Sequence, residues 1–382
     1  MPSVAYGATS LKIEKLGRDL ERAGCGSVVR VRVRRPLSEA PRLFGVSPAV
    51  ARVLPAAARV ALPTFGALTL LVLSSSARAA EASSGAAKVG EAEEHEKLFL
   101  IRPFIALDQL SLDLTRGDET LTFLPNTKLA VGLRLGYAGF SISASVDVQA
   151  SEESSEYGKT EYLALQLGRG FRVARRELFI SAFLQYHEGL YLESSSDAAP
   201  GPIVFPELTV LSLGVTATYY LNPEFSYDDT FVEFRPREDS VGSWTLRLSS
   251  GLMGFDNVGL PVIPEPYRAA FGAEGTLAES SALYVGAMGG YSVDFRFWGG
   301  WCVASSLLIG LTVAREAHTV EPGTRRDTTV APSAMFALAL GYSGETLHAG
   351  IYTFADIESY KTGPVQQDIT RTAVALFVGV RF

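Results

Sequence analysis

The chain of 382 residues has few of the residue types that build metal, disulfide and catalytic sites: two Cys, four His and four Met. Cys25 lies in a basic leader and Cys302 in a strand candidate, so we expect no intrachain disulfide. Two isolated cysteines also exclude a zinc site of the CxxC type. Acidic clusters are present, but such groups are more often solvated loop charges than cation sites. The sequence therefore predicts no metal site and no cofactor.

The apolar run at residues 60–73 has only fourteen residues, whereas a helix that spans a membrane needs about twenty. Arg52 and Arg59 precede the run, and Ala77-Arg78-Ala79 follows it as a small-x-small cleavage pattern. This three-part layout predicts a secretory signal peptide, so we interpret residues 1–80 as a leader.

The signal begins some fifty residues into the chain, and no Met occurs between Met1 and Met253. We interpret residues 1–50 as the product of an upstream start that the cell rarely uses; the alternative is a long but genuine n-region. Residues 81–97 are rich in Ala, Ser, Gly and Glu without periodicity, which predicts a flexible periplasmic linker.

The sign of the net charge also changes between the predicted leader and the rest of the chain. Residues 1–80 hold twelve Lys/Arg against four Asp/Glu, and the remainder holds 22 against 37. Phosphate binding along a nucleic acid needs a basic face, so the acidic mature chain argues against nucleic acid as a partner.

From residue 98 onward, apolar residues alternate with small or polar ones in segments of about ten, the period of a strand between lipid and a lumen. Residues 128–137 and 140–149 show this best, with only Ala138-Gly139 between them as a tight hairpin. In each segment one face is bulky and apolar, and the other is mostly Gly, Ala or Ser. Twelve such segments occur in series.

The sequence therefore predicts an all-β fold, an antiparallel transmembrane β-barrel of twelve strands over residues 98–382, with fourteen as the next choice. Residues 225–234 resemble a further strand, but an odd number would separate the two ends of the chain, so we treat residues 222–242 as one long periplasmic connection. The other periplasmic turns are predicted to be short. Longer outer loops are predicted at residues 116–126, 151–159, 193–206, 255–281, 316–329 and 356–368.

The last strand ends on Phe382, with Val380 and Val378 at the preceding alternate positions. A terminal aromatic residue on an alternating strand resembles the signal read by the bacterial barrel-insertion machinery. We therefore expect that machinery as a partner, together with outer-membrane lipids and lipopolysaccharide, and the outer membrane of a Gram-negative cell as the location.

Several short motifs occur in a characteristic order: Pro125-Asn126-Thr127, Gln185-Tyr186-His187, Phe225-Ser226-Tyr227 and Val241-Gly242-Ser243-Trp244. In this order the chain resembles domain of unknown function 4421, a family of uncharacterised outer-membrane proteins of Gram-negative bacteria. The resemblance covers most of residues 98–382 and implies location and fold, but no activity. Asp228-Asp229 stands where the family often has a basic segment, which puts any function of that segment in doubt.

A pore or transport barrel and a structural barrel are the leading functional hypotheses, with an outer-loop binding protein or a lipid-modifying enzyme as alternatives. The candidate lumen-facing residues mix charge signs, as a water-filled or ion-paired interior would: Lys128, Arg134, Asp147, Gln149, His187 and Arg247. We expect Arg134 to pair with Asp147 on the adjacent strand. Between the pore and loop hypotheses the sequence does not choose.

Barrel lipid hydrolases resemble one another in a His-x-Ser pair, and none of the four His here has Ser two positions later. We therefore predict no catalytic residue and favour a structural role for His187. The alternative is a rearranged catalytic site in which His187 activates a Ser on a neighbouring strand. We place His318 in a polar outer loop. Residues 255–281 are too apolar for plain exposure and are predicted to enter the lumen as a plug, or else to contact lipopolysaccharide or a partner.

Overall fold

In the computed structural model, the described residues are 99–127, 129–148, 154–193, 201–321, 323–362 and 364–382. The predicted leader and linker lie outside them. Thirteen antiparallel strands form one sheet. Their bounds are β1 Phe99–Arg116, β2 Glu119–Pro125, β3 Ala130–Tyr137, β4 Phe140–Asp147, β5 Glu161–Val173, β6 Arg176–Glu193, β7 Ile203–Tyr220, β8 Val241–Asp256, β9 Glu279–Phe297, β10 Trp301–Val320, β11 Gly323–Ser343, β12 Leu347–Thr362 and β13 Val365–Arg381.

The sheet closes into a ring because β13 pairs with β1 along most of its length. The backbones of Phe99 and Phe382 exchange two hydrogen bonds, of 2.7 and 3.1 Å, which place the start of β1 and the end of β13 at one end of the barrel. We call this the near end and the opposite one the far end. Closure pairs the N–H and C=O groups that an open sheet edge would leave unpaired in lipid.

The predicted count of twelve strands is confirmed, because β2 and β3 together occupy one position in the ring. β1 pairs with β3 through its first half and with β2 through its second half. β4 and β5 are short at the far end, and there β2 pairs directly with β6. The second position in the ring is therefore a broken strand, with β3 as its near half and β2 as its far half. β2 reaches β6 directly because β4 and β5 end before the far end.

Three predicted outer loops are wrong, since residues 116–126, 316–329 and 356–368 belong mostly to strands. The turn after β1 is only Gly117-Asp118, and β10 and β11 reach 20 and 21 residues. Beyond the apolar band these strands continue as charged and Thr residues, which hid them from a search for alternating segments of ten residues. A strand needs only about 9–11 residues to cross a bilayer, so these hairpins extend past it.

The outward face near the chain ends is apolar. On β10 it runs from Trp301 to Val313, through Leu307 with 56% of its surface exposed. Aromatic side chains, the amphipathic residues that favour a membrane–water boundary, ring the near end: Phe140, Tyr137, Trp244, Phe295, Phe297, Trp298, Trp301, Tyr342 and Phe382. This outer surface is the one that a barrel presents to lipid.

Helices occur only in connections between strands of the described chain: α1 Ser154–Tyr157, α2 Glu265–Phe271, a π-helix Asp228–Val232, and 3₁₀ turns Gly272–Thr276 and Trp298–Gly300. None of the helices in these residues is long and apolar enough to cross a bilayer. The two long connections, residues 221–240 and 257–278, both enter the barrel and determine what the lumen can do.

Candidate functional site

The near plug is the connection between β7 and β8, residues 221–240. The prediction that it is one periplasmic-type connection holds for its topology, but the sequence did not indicate that it folds into the lumen. Phe225, Phe231 and Phe234 are at most 2% exposed, and they pack with Tyr220 and Phe377 on inward faces of the wall. The aromatic spacing that resembled a strand therefore serves a buried plug.

Side chains of the wall hold the near plug by hydrogen bonds to its backbone. The Glu177 carboxylate accepts from the Tyr227 N–H at 2.9 Å, and the Arg381 guanidinium donates to the Phe234 carbonyl at 2.9 Å. Thr230 donates to Asp294 at 3.2 Å. Each bond satisfies a plug group that has lost contact with water.

Asp228 is a titratable group on the near plug whose pKa is strongly raised. Burial raises the pKa of its carboxyl to about 8, and Glu177, Glu233 and Asp229 act in the same direction, against a smaller opposite effect of Arg235. Because the folded pKa lies above the ordinary value of 3.8, this group favours the docked plug at low pH. That contribution declines as the pH rises above the ordinary value and is lost as it passes through about 8.

The far plug is the connection between β8 and β9, residues 257–278, and its predicted entry into the lumen is confirmed. Five of its apolar side chains are buried against inward residues from most of the ring: Val262, Ile263, Tyr267, Phe271 and Leu277. Glu274, 2% exposed, forms ion pairs with Arg325 at 2.8 Å and Arg116 at 3.8 Å. Leu260, by contrast, is 58% exposed at the tip of the plug.

A polar chamber of about 220 Å³ lies in the lumen, with Tyr227 and Phe231 of the near plug in its wall. Hydroxyl and amide side chains line it alongside aromatic rings. Its charged lining residues are four arginines and two aspartates: Arg102, Arg134, Arg247, Arg371, Asp108 and Asp356. The chamber lining is therefore electropositive, although residues 81–382 as a whole are acidic.

The aspartates do not neutralise all four arginines. Asp356 accepts from Arg371 at 2.8 Å and is 3.9 Å from Arg247. Asp108 accepts instead from the Tyr162 hydroxyl. Arg102 and Arg134 form no ion pair with any described carboxylate; Arg134 donates to the Gln166 amide oxygen at 3.1 Å. A buried charge without a partner costs several kcal/mol even after relaxation, so these side chains need an explanation.

The structure brings two of the predicted lumen residues, Arg134 and Arg247, into the chamber. Asp147 lies on the inward face of β4 but outside the chamber lining, and Lys128 and Gln149 lie outside the described residues. His187 is 2% exposed and its ring is 4.8 Å from the Tyr162 ring, but it does not line the chamber.

Two predictions about side chains are wrong. Arg134 lies opposite Ser143 and Asp147 lies opposite Ala130, so about four residues, or roughly 13 Å of strand, separate the expected partners. His318 is not in a loop: it lies on β10, 1% exposed, facing inward. The predicted two-residue turn at Ala138-Gly139 already fixes this register and places Arg134 opposite Ser143, so the expected pairing disagreed with the predicted hairpin.

Sequence reasoning missed Arg102, Asp108, Asp356 and Arg371 in the chamber. A signal was present, because each is a charged residue on the inward face of an otherwise apolar strand. On β13, for example, Arg371 shares the inward face with Ala373, while Val374 faces outward. Tyr227 carried no such signal, since it reaches the chamber only through the folding of the plug.

Fold and site together define an antiparallel outer-membrane-type β-barrel of twelve strand positions with two plugs in its lumen. The chain belongs to the family described as Domain of unknown function (DUF4421), whose model matches residues 93–382. This confirms the resemblance seen in the motifs. No curated protein matches the sequence.

Solved outer-membrane barrels are similar to this chain in fold. The outer membrane protease OmpT from Escherichia coli is 8% identical, with 76% of this chain and 98% of that chain covered and a TM-score of 0.36. The translocator domain of the autotransporter NalP from Neisseria meningitidis is 11% identical, with 82% and 97% covered and a TM-score of 0.35. The COG4313 outer membrane channel from Pseudomonas putida F1 is 14% identical, with 78% and 100% covered and a TM-score of 0.34.

Proposed function

We propose that this chain is a gated transport barrel of the Gram-negative outer membrane, exported by the signal in residues 1–80 and described here in a closed state. The near end, with short turns and both chain ends, faces the periplasm. The apolar outward band contacts membrane lipid, and the far hairpins reach the lipopolysaccharide layer. Insertion proceeds through the last strand, whose Val378, Val380 and Phe382 side chains are outward and exposed.

The observation that carries the proposal is the charged, polar chamber beside the near plug. A barrel with only a structural role is most stable when its lumen is filled by apolar or fully paired side chains, because unpaired buried charge is destabilising. Toward the far end an apolar cluster fills the lumen, formed by the far plug with the inward Leu residues of β1. The chamber breaks this pattern at the depth of the lipid-facing band, where a permeating solute would pass.

The experiment is conductance and solute flux of the purified, refolded barrel in bilayers and liposomes. We expect brief openings from the native chain and long-lived openings when both plugs are undocked by Phe271→Asp and Phe231→Asp, because each places a carboxylate among apolar side chains. Leu260→Asp is the matched control, since that side chain is already exposed.

Each variant is first checked for heat-modifiable migration, so that only folded barrels are compared. A native chain without openings or flux, together with a folded double variant that also stays closed, would contradict transport. That result would favour the structural barrel.

A further inference from the structure

We infer that the chamber is a binding site for a small solute bearing an oxyanion, a phosphate or carboxylate group, held by Arg102, Arg134 and Arg247. The inference deepens the proposed function, because it names the class of solute that the barrel would carry. It stands on three features of the chamber: its charge, the grouping of its arginines and its size.

The charge argument concerns what balances three guanidinium groups inside the barrel. Among the described residues, Arg102 and Arg134 have no ion-pair partner, and Arg247 forms its ion pair with Asp356. That carboxylate is already engaged more closely by Arg371, which also lies 3.4 Å from Glu358. Asp228 and Glu233 of the near plug act on Arg134 and Arg102 only from outside the chamber lining. Within the lining two carboxylates stand against four guanidinium groups, and a mobile anion would balance that difference.

The bonds that these arginines do form are weak or neutral. Arg102 donates to the Phe231 carbonyl at 3.4 Å and lies 4.6 Å from the centre of the Phe377 ring. Arg134 donates to the neutral Gln166 amide, and the Nε atom of Arg247 is buried with no hydrogen-bond partner. Donor capacity of all three groups is thus left for a ligand.

The three arginines line the same cavity as Tyr227 of the near plug. Burial raises the pKa of the Tyr227 phenol and Asp228 also raises it, while Arg134, Arg247 and Arg102 each lower it by their charge. Three guanidinium groups in the wall of one cavity form a cradle. The planar fork of a guanidinium matches the spacing of oxygens in carboxylate and phosphate groups, so an oxyanion fits this cradle better than a halide does.

The size and the walls limit the solute. A volume of about 220 Å³ corresponds to roughly seven molecules of liquid water at about 30 Å³ each. That space admits phosphate itself, or a phosphate or carboxylate with a short organic substituent. Rings of Phe104, Phe183 and Phe354 line the remaining wall and would contact the substituent.

The test is thermal unfolding of the full refolded barrel in detergent, titrated with inorganic phosphate, with sodium acetate, and with sodium chloride at matched ionic strength. We expect a saturable rise in Tm with phosphate or acetate and little rise with chloride. Comparing the first two arms separates a phosphate ligand from a carboxylate ligand.

Two variants locate the effect. Arg134→Gln should weaken the apparent affinity by about tenfold or more, as expected for loss of a hydrogen bond between charged groups. Arg326→Gln removes the same charge from an exposed position on the far hairpin and should titrate like the native chain. Arg247→Gln is a second chamber variant, because Asp356 retains Arg371 as its partner when Arg247 is lost.

The anion-free condition separates a ligand site from a structural one. Without added anion, Arg134→Gln should unfold at the same temperature as the native chain or higher, because an unpaired buried charge has been removed. With saturating anion the order should reverse. Equal stabilisation of the native chain and both chamber variants, or equal stabilisation by chloride, would overturn the site. Anion binding without flux would contradict transport alone, and flux without anion binding would contradict the site alone.

Discussion

The lipid-facing band on β10 gives a prediction whose size follows from geometry. Leu307 lies midway between Trp301 and Val313, the limits of the outward apolar run, and is 56% exposed. Leu307→Arg therefore puts a charge near the middle of the hydrocarbon layer, where Arg or Lys on a barrel surface costs about 2–4 kcal/mol. We expect the free energy of unfolding to fall by about that amount.

The same substitution at the edge of the band should cost much less. Val313 is six residues farther along β10, which is about 20 Å at roughly 3.4 Å per residue and about 15 Å along the membrane normal for a strand tilted by ~40°. The band is about 25 Å tall, so this position lies at or beyond its boundary, and Val313→Arg should cost about 0–1 kcal/mol.

The assay is reversible urea unfolding of the three proteins in lipid vesicles, with Thr328→Arg as a control on the exposed far hairpin. A single slope with denaturant is required for each variant, so that the changes in midpoint can be compared. Equal losses at Leu307 and Val313 would refute the assigned depth. A harmless Leu307→Arg would refute the assignment of the outward face itself.

Three further predictions concern the ends of the chain and the near plug. Raising the pH from about 5 to 9 should loosen the near plug, measured as faster hydrogen exchange of residues 221–240. Asp228→Asn should flatten this pH dependence, because it removes the group whose folded pKa is about 8. An unchanged pH profile in the variant would contradict the role of Asp228. Deleting Phe382, which closes the ring through its backbone bonds to Phe99, should leave the chain in the periplasm or degraded, whereas normal heat-modifiable migration would argue against an insertion signal there. N-terminal sequencing of the mature protein should begin within a few residues of Ala80, and a start before residue 60 would rule out the cleavage pattern.

Alternation along single strands was sufficient to predict the class of fold and the two faces of the wall. Val131 and Val146 face outward, and Ser143 and Ser145 face inward, as the period of two predicts. The constraint is local, since a strand between lipid and a lumen must change polarity at every residue. The even number of strand positions has a separate cause, since β1 and β13 can pair antiparallel in a closed antiparallel ring only when that number is even.

Local alternation failed at the far end, where the outward face is no longer in lipid. Residues 315–328 carry Arg, Glu, Asp and Thr because the hairpin extends beyond the membrane, and the lipid pattern no longer marks them as strand. The broken second strand was missed for a related reason. Its far half pairs with β6 only because β4 and β5 are short, which is a property of the whole ring.

The sequence by itself determined the barrel and its two faces and favoured the entry of the far plug, since each depends on the polarity of consecutive residues. Only the tertiary structure decided that the near plug also enters the lumen and that Arg102, Arg134 and Arg247 share one chamber. These contacts join strands distant in sequence. They depend on register and on how two loops fold inside a closed ring, and neither is encoded in the period of any one strand.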